Sequence, residues 1–177
     1  MKSMRLADKL RNIPDFPKPG IQFKDITPLL LDAEAFQHTI DLLVKPFESM
    51  GVTHIVAIEA RGFIFGSVVA SRLNAGFVPI RKPGKLPAKV DSVSYALEYG
   101  ENELQMHKDS LTPDSRVVVI DDVLATAGTA VAAADLVRLQ GGRLLGFGFV
   151  CELDFLSGRD RLLRACPMTT VHSLIHF

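Results

Sequence analysis

Cysteine is scarce in this sequence: two in 177 residues, Cys151 and Cys166. Neither stands in a C-x-x-C pair or beside a matching histidine cluster, so neither a disulfide framework nor zinc is supported, and a reduced, cytoplasmic setting is expected. A net charge is lacking too, because 20 Lys and Arg balance 20 Asp and Glu. That removes the basic excess of a duplex nucleic-acid binder, and any anion site must be local. No apolar run comes near the roughly 20 residues that span a bilayer, so no membrane partner is expected. The opening MKSMRLADKL alternates charged and apolar residues, unlike a secretory signal, and reads as an amphipathic helix. Internal repeats, low-complexity tracts and interdomain linkers are absent as well.

What is present is a globular composition, 47% hydrophobic, at a length that suits one domain spanning residues 1–177. Four β-branched apolar segments, 54–58, 77–81, 116–121 and 143–150, read as strands, and they are continuously apolar instead of alternating. Strands of that kind belong to a parallel sheet covered on both faces. The stretches 62–74 and 129–140 have the length and composition of helices, which makes the order βαβ. Asn74-Ala75-Gly76 and Gly141-Gly142 supply helix ends before the next strand. A further helix is expected at 32–50. PDFPKPG at 14–20 is too rich in Pro for regular structure and is expected as a surface loop or hood. Residues 82–101 lose the apolar pattern, and a connection of that length is more often functional than incidental. Residues 168–177 read as a last strand.

The chemistry concentrates in VVVIDDVLATAGT, residues 117–129. A buried strand delivers Asp121 and Asp122 to its carboxyl end, where ligands bind in open α/β sheets. Carboxylates there accept hydrogen bonds from sugar hydroxyls or hold a hydrated Mg²⁺. Ala125, Thr126, Ala127, Gly128 and Thr129 then form a loop with little bulk, two hydroxyls and the backbone N–H groups of a helix start, which favours phosphate. Acids for a ribose beside donors for a phosphate describe a ribose 5-phosphate site. For an isolated acidic pair, a strand end and a helix cap would be sufficient explanation. The full string is more specific: it resembles the 5-phosphoribosyl-1-pyrophosphate (PRPP) motif of the type I phosphoribosyltransferases. Their loop usually has Gly where this chain has Ala127.

Three more segments occur in the order of one branch of that family. PDFPKPGIQFKDITPLL (14–30), EARGFIFG (59–66), and RKPGKLP (81–87) followed by SYALEYG (94–100) resemble the hood, the pyrophosphate loop and the catalytic loop of adenine phosphoribosyltransferases. The resemblance implies an α/β fold with a central, mostly parallel sheet flanked by helices, a small N-terminal hood and a flexible catalytic loop. It implies PRPP and adenine as substrates, Mg²⁺ as cofactor and a homodimer. By the same resemblance Phe23 stacks on adenine, Gln22, Lys24 and Arg61 border the base, and Leu153 packs on the ring. Glu59, Ala60, Arg61, Arg81 and Lys85 approach pyrophosphate, Arg81 from the neighbouring subunit. Glu98 assists proton movement near N7, with Arg61 beside it in the catalytic set, and Tyr99 covers the closed site. The Glu59-Ala60 peptide is cis in the family.

Alternatives remain at this level. A phosphoribosyltransferase for a 6-oxopurine needs a donor for the exocyclic oxygen, often a Lys near the acidic pair, and Val123 and Leu124 offer none. A PRPP-sensing regulator needs a basic recognition element for nucleic acid, and net charge argues against one. His172 and His176 have i, i+4 spacing that suits zinc on a helix, but their segment is β-rich and H-E-x-x-H is missing.

Overall fold

The computed structural model describes residues 5–96 and 101–177. The chain divides into two compact units, residues 1–42 and 43–177. In the first, strands β1 (Arg11–Pro14) and β2 (Gln22–Asp25) pair antiparallel, with Ile13 opposite Phe23. The Pro-rich segment is therefore the connection of a hairpin, and Phe16 meets Phe23 edge-on at 5.1 Å. The expected N-terminal amphipathic helix is only a 3₁₀ turn, Leu6–Lys9, among the described residues. Helix α1 (Thr27–Leu31), which the sequence pattern did not signal, starts with Pro28 in its first turn, where a missing N–H costs nothing. Helix α2 (Ala33–Val44) is capped by Asp32, whose Oδ1 accepts the N–H groups of Glu34 and Ala35 at 3.1 and 3.0 Å. It ends sooner than the expected residue 50. Pro46 disfavours α geometry at the residue before it, and the chain continues as the 3₁₀ turn Lys45–Phe47.

The second unit holds a five-stranded sheet built from β3 (His54–Ile58), β4 (Gly76–Ile80), β7 (Arg116–Leu124), β8 (Arg143–Glu152) and β9 (Thr170–His176), in the order β4-β3-β7-β8-β9. Every adjacent pair is parallel. Helices α3 (Arg61–Arg72), α4 (Gly128–Leu139) and α5 (Gly158–Ala165) make the crossovers. The strands are continuously apolar because both faces are covered. Val117 and Val119 join the cluster containing Ala130, Ala133, Leu136 and Val137 of α4. Val118 and Ile120 are buried on the other face. There the missing side chain of Gly66 lets α3 approach, since a Cβ on it would lie 2.5 Å from Ala57 Cβ and 3.7 Å from Ile120 Cβ.

Residues 82–101 are not simply a loop. Strands β5 (Val90–Ala96) and β6 (Glu101–His107) form an antiparallel hairpin, joined to the end of β4 by the Arg81–Gln105 bridge. Ser92, Val93, Ser94 and Tyr95 alternate polar and apolar, and Val93 and Tyr95 pack on the cluster shared with α4. On β6, Leu104, opposite Val93, and Met106, opposite Asp91, are buried. The alternation is the period-2 signal of a half-buried strand, obscured by the charged segments before it.

Phe147 sits fully buried at the centre of β8, stacked parallel to Phe149 at 6.3 Å. Phe147→Ala should lower the free energy of unfolding by about 3–5 kcal/mol, measured by urea titration; a loss under 1 kcal/mol would mean that β8 is not the sheet's core.

Candidate active site

The strand order reverses direction between β3 and β7. From β3 the chain moves outward to β4; from β7 it moves the opposite way to β8 and β9. Crossovers leaving in opposite directions part above these two strands and leave a crevice at their carboxyl ends. A cavity of ≈ 310 Å³ occupies this place, lined by residues 58–61 at the end of β3, by 121–130 from the last residues of β7 to the start of α4, and by Lys82, Tyr95, Asn102 and Leu104.

Strand β7 outlasts β3. Their register places Ala57 opposite Ile120, and β3 ends one residue later, whereas β7 stays paired with β8 as far as Leu124. Asp121 is thus level with the last residue of β3, and Asp122 is the first to emerge on the edge that β3 has vacated. Helix α3 starts against them at Gly62, where a Cβ would come 2.8 Å from Asp121 Oδ1 and 3.0 Å from the Ile120 carbonyl oxygen.

The two carboxylates are electrostatically costly. Burial pushes Asp121 well above the usual carboxylate range, and the adjacent charge of Asp122 adds to it. Asp122, 4% exposed, is also raised by burial, opposed by the Arg61 guanidinium, whose Nε lies 2.8 Å from Asp122 Oδ2. The Asp122 N–H donates to Asp121 Oδ1 at 2.9 Å, fixing that carboxylate. A site that raises carboxylates in this way is set up to receive hydroxyl donors or a cation, either of which relieves the burial cost.

The following loop ends in Ala127, left-handed at φ 66°, from which α4 begins. This conformation explains why a Gly is usual there: a Cβ costs about 1–2 kcal/mol in that region. The first turn of α4 leaves backbone N–H groups with no intrahelical acceptor, directed toward the cavity end of the dipole. The Tyr95 ring covers the loop, since a Cβ on Gly128 would meet its Cδ2 at 3.3 Å, and Thr129 Oγ1 is 3.5 Å from the Tyr95 hydroxyl.

The structure therefore brings together Glu59, Ala60, Arg61, Asp121, Asp122, Ala125, Thr126, Ala127, Gly128 and Thr129 around one cavity. Glu59 is kept ionised, its pKa lowered by Arg81, which donates to Oε1 at 2.8 Å, and by the Lys82 N–H at 3.3 Å. Arg81 and Lys85 do not line this cavity within the chain; Arg81 also donates to the Lys85 carbonyl at 3.1 Å. Leu153 lies past the end of β8, its N–H donating to the Leu124 carbonyl at 2.9 Å. Gln22, Phe23 and Lys24 belong to the β2 strand of the first unit, and Gln22 Oε1 accepts from Asn12 Nδ2 at 2.8 Å. Glu98 and Tyr99 lie outside the described residues. Sequence reading missed Lys82, Tyr95 and Asn102 on the wall. For Tyr95 the alternation along 92–95 was the available signal.

His172 and His176 stand on β9, not on a helix. His172 packs edge-on against Phe47 at 5.4 Å, and burial lowers its pKa. His176 Nδ1 is 2.9 Å from Asp154 Oδ1 and, with Glu152, makes a grouping separate from the cavity. Glu152 there is already held by Arg159 through both oxygens.

The phosphoribosyl transferase domain family matches residues 30–162. The adenine phosphoribosyltransferase of Sorangium cellulosum is 60% identical over 173 residues, covering 97% of this chain and 86% of that one. The crystal structure of the Thermoanaerobacter pseudethanolicus adenine phosphoribosyltransferase superposes with a TM-score of 0.91 at 49% identity, covering 97% and 98% of the two chains. The Saccharomyces cerevisiae enzyme, complexed with an imino-altritol bisphosphate and adenine, gives 0.88 at 39% identity, with 96% of each chain covered. A parallel sheet with its crevice at a strand-order reversal, an acid pair and a phosphate loop define a phosphoribosyltransferase, and the chain belongs to that family. Within it, the chain belongs to the adenine phosphoribosyltransferases.

The raised pKa of Asp121 gives a signed expectation. A carboxyl raised in the folded state contributes most to stability at acid pH, and the contribution is lost as pH rises through its folded pKa. Asp121→Asn should therefore stabilise the ligand-free protein at neutral pH, with the gain shrinking in mild acid. Thermal melts at several pH values check this; a variant less stable at neutral pH would contradict it.

Proposed function

We propose that this chain joins adenine N9 to the ribose of PRPP, forming AMP and pyrophosphate in purine salvage. The observation that carries the reading is the cavity at the strand-order reversal, lined together by Asp121, Asp122 and the loop 125–129. The adenine phosphoribosyltransferases it resembles over nearly its whole length support the choice of base.

In this reading the loop N–H groups, Thr126 and Thr129 seat the 5-phosphate, and Asp121 and Asp122 accept the ribose hydroxyls, so the anomeric carbon is aimed at the base. As N9 attacks, the ring gains positive charge and the departing pyrophosphate negative charge. Arg61, Lys82 and Lys85, with Arg81 from a neighbouring subunit, oppose the second, and the acid pair favours the first. Phe23 stacks on adenine, Gln22, Lys24 and Arg61 border its edge, and Leu153 packs on the ring. Glu98 holds the proton near N7, and Tyr99 closes the site against water.

The acid pair is an all-oxygen donor set of the hardness that Mg²⁺ prefers, and the burial that raises both carboxylates is consistent with a cation beside them. Mg²⁺ would be held by Asp121 and Asp122 through water, and when bound it supplies charge neutralisation of the diphosphate. A homodimer is supported by β4, an edge of the sheet, where Phe77 on the strand and Ile64 on α3 are both exposed at 37%. A cytoplasmic setting is supported by two buried free thiols.

The test incubates the protein with Mg²⁺, PRPP and, separately, adenine, hypoxanthine, guanine and orotate, and separates the nucleotides formed. AMP from adenine alone is expected; a nucleotide from another base would overturn the choice of base. Glu98→Ala should lower kcat by about 10²–10⁴ while ribose 5-phosphate binding is kept. An unchanged kcat would remove Glu98 from the mechanism.

A further inference from the structure

The loop 125–129 is contacted from outside the cavity by an element that belongs to none of the motifs. After β8 the chain makes the 3₁₀ turn Asp154–Leu156, passes through Ser157 at φ 51°, and enters α5 at Gly158. Gly158 is buried, and a Cβ on it would overlap the Ala125 carbonyl oxygen while standing 3.0 Å from the Ala125 carbonyl carbon and 3.3 Å from the Ala127 nitrogen. Backbone thus lies directly on backbone, with no side chain able to yield. Three residues on, Arg161 Nη1 donates to the Thr126 carbonyl at 3.2 Å. The Thr126 carbonyl is therefore hydrogen-bonded, and the Ala125 carbonyl closely packed, by residues that do not line the cavity.

The brace has its own anchor. Arg159 donates through Nε to Glu152 at 3.0 Å, through Nη1 to the Val171 carbonyl at 2.8 Å and through Nη2 to Ser173 at 3.3 Å, tying α5 to β8 and β9. Leu162, fully buried, joins the core cluster. A helix so fixed transmits the position of the sheet to the loop. Orienting the Ala125 and Thr126 carbonyls outward also orients the following N–H groups inward, because each peptide unit is planar.

We infer that Gly158 and Arg161 are positioning residues for the 5-phosphate subsite: α5 holds the loop in the shape that receives the phosphate before ligand arrives. The inference rests on the assignment of loop 125–129 to the ribose 5-phosphate. It sets a specific signature. Loosening the brace weakens phosphoribosyl binding, because the loop must then be ordered on binding, but leaves adenine affinity nearly untouched.

The experiment compares wild type, Gly158→Ala, Arg161→Ala and, as a control for lost charge, Arg164→Ala on the same helix, where the side chain is also exposed. Ribose 5-phosphate binding is measured by calorimetry, and KM for PRPP and for adenine by steady-state kinetics. Arg161→Ala should weaken ribose 5-phosphate and raise KM for PRPP by about fivefold, the worth of one hydrogen bond. Gly158→Ala should do more, and KM for adenine should stay within about twofold by the same reasoning, as should every constant of Arg164→Ala. Arg161→Ala indistinguishable from Arg164→Ala, or a loss confined to kcat, would overturn the inference. Because Gly158→Ala can disturb folding, Arg161→Ala with an unchanged melting temperature decides the matter. Titration with ribose 5-phosphate reads the brace and AMP formation reads the activity, so failure of one is told from failure of the other.

Discussion

Strand β7 runs past the end of its neighbour β3, and the candidate site depends on that difference in length. Inside the sheet, Asp121 and Asp122 would be two adjacent buried charges, a cost of several kcal/mol without partners. One step beyond β3 they find Arg61 on one side and the crevice on the other. The register accounts for the position of the acids, Gly62 for the close approach of α3, and the reversal of strand order for the open space between them.

The same residues are a liability in the ligand-free protein. Both acids are raised by burial, and Ala127 occupies a backbone region that suits Gly. Local cost at a binding site has a physical logic: in the proposed reading, a ligand's hydroxyls and phosphate would supply the partners that offset it. The rest of the unit provides the rigidity that makes this sustainable. Val117 and Val119 pack on α4, Val118 and Ile120 are covered on the opposite face, and α5 is fastened to β8 and β9 by Arg159.

Much of this was legible in the sequence, for reasons that differ by element. The strands of the sheet were readable because burial on both faces demands an unbroken apolar run, and 54–58 and 116–121 carry one. The acid pair and the loop 125–129 drew notice because their residue types are chemically constrained, and the structure brings them to one cavity. Helix α1 was not legible, since so short a helix owes its form to tertiary packing, and the hairpin of β5 and β6 was not, since charged segments obscured the alternation that places Val93 and Tyr95 against the cluster shared with α4. Lys82 and Asn102 reach the cavity from segments whose composition is that of ordinary surface. The contact of Gly158 with Ala125 joins positions 33 residues apart and leaves no mark in local pattern.

The central claim is that the phosphoribosyl group sits at the carboxyl ends of β3 and β7, in the loop after Asp122. Backbone amide NMR with added ribose 5-phosphate tests it most directly. The account predicts saturable shifts concentrated at residues 121–130, with the largest at the first turn of α4. Shifts centred instead on Glu152, Asp154 and His176, with residues 125–129 unmoved, would contradict it.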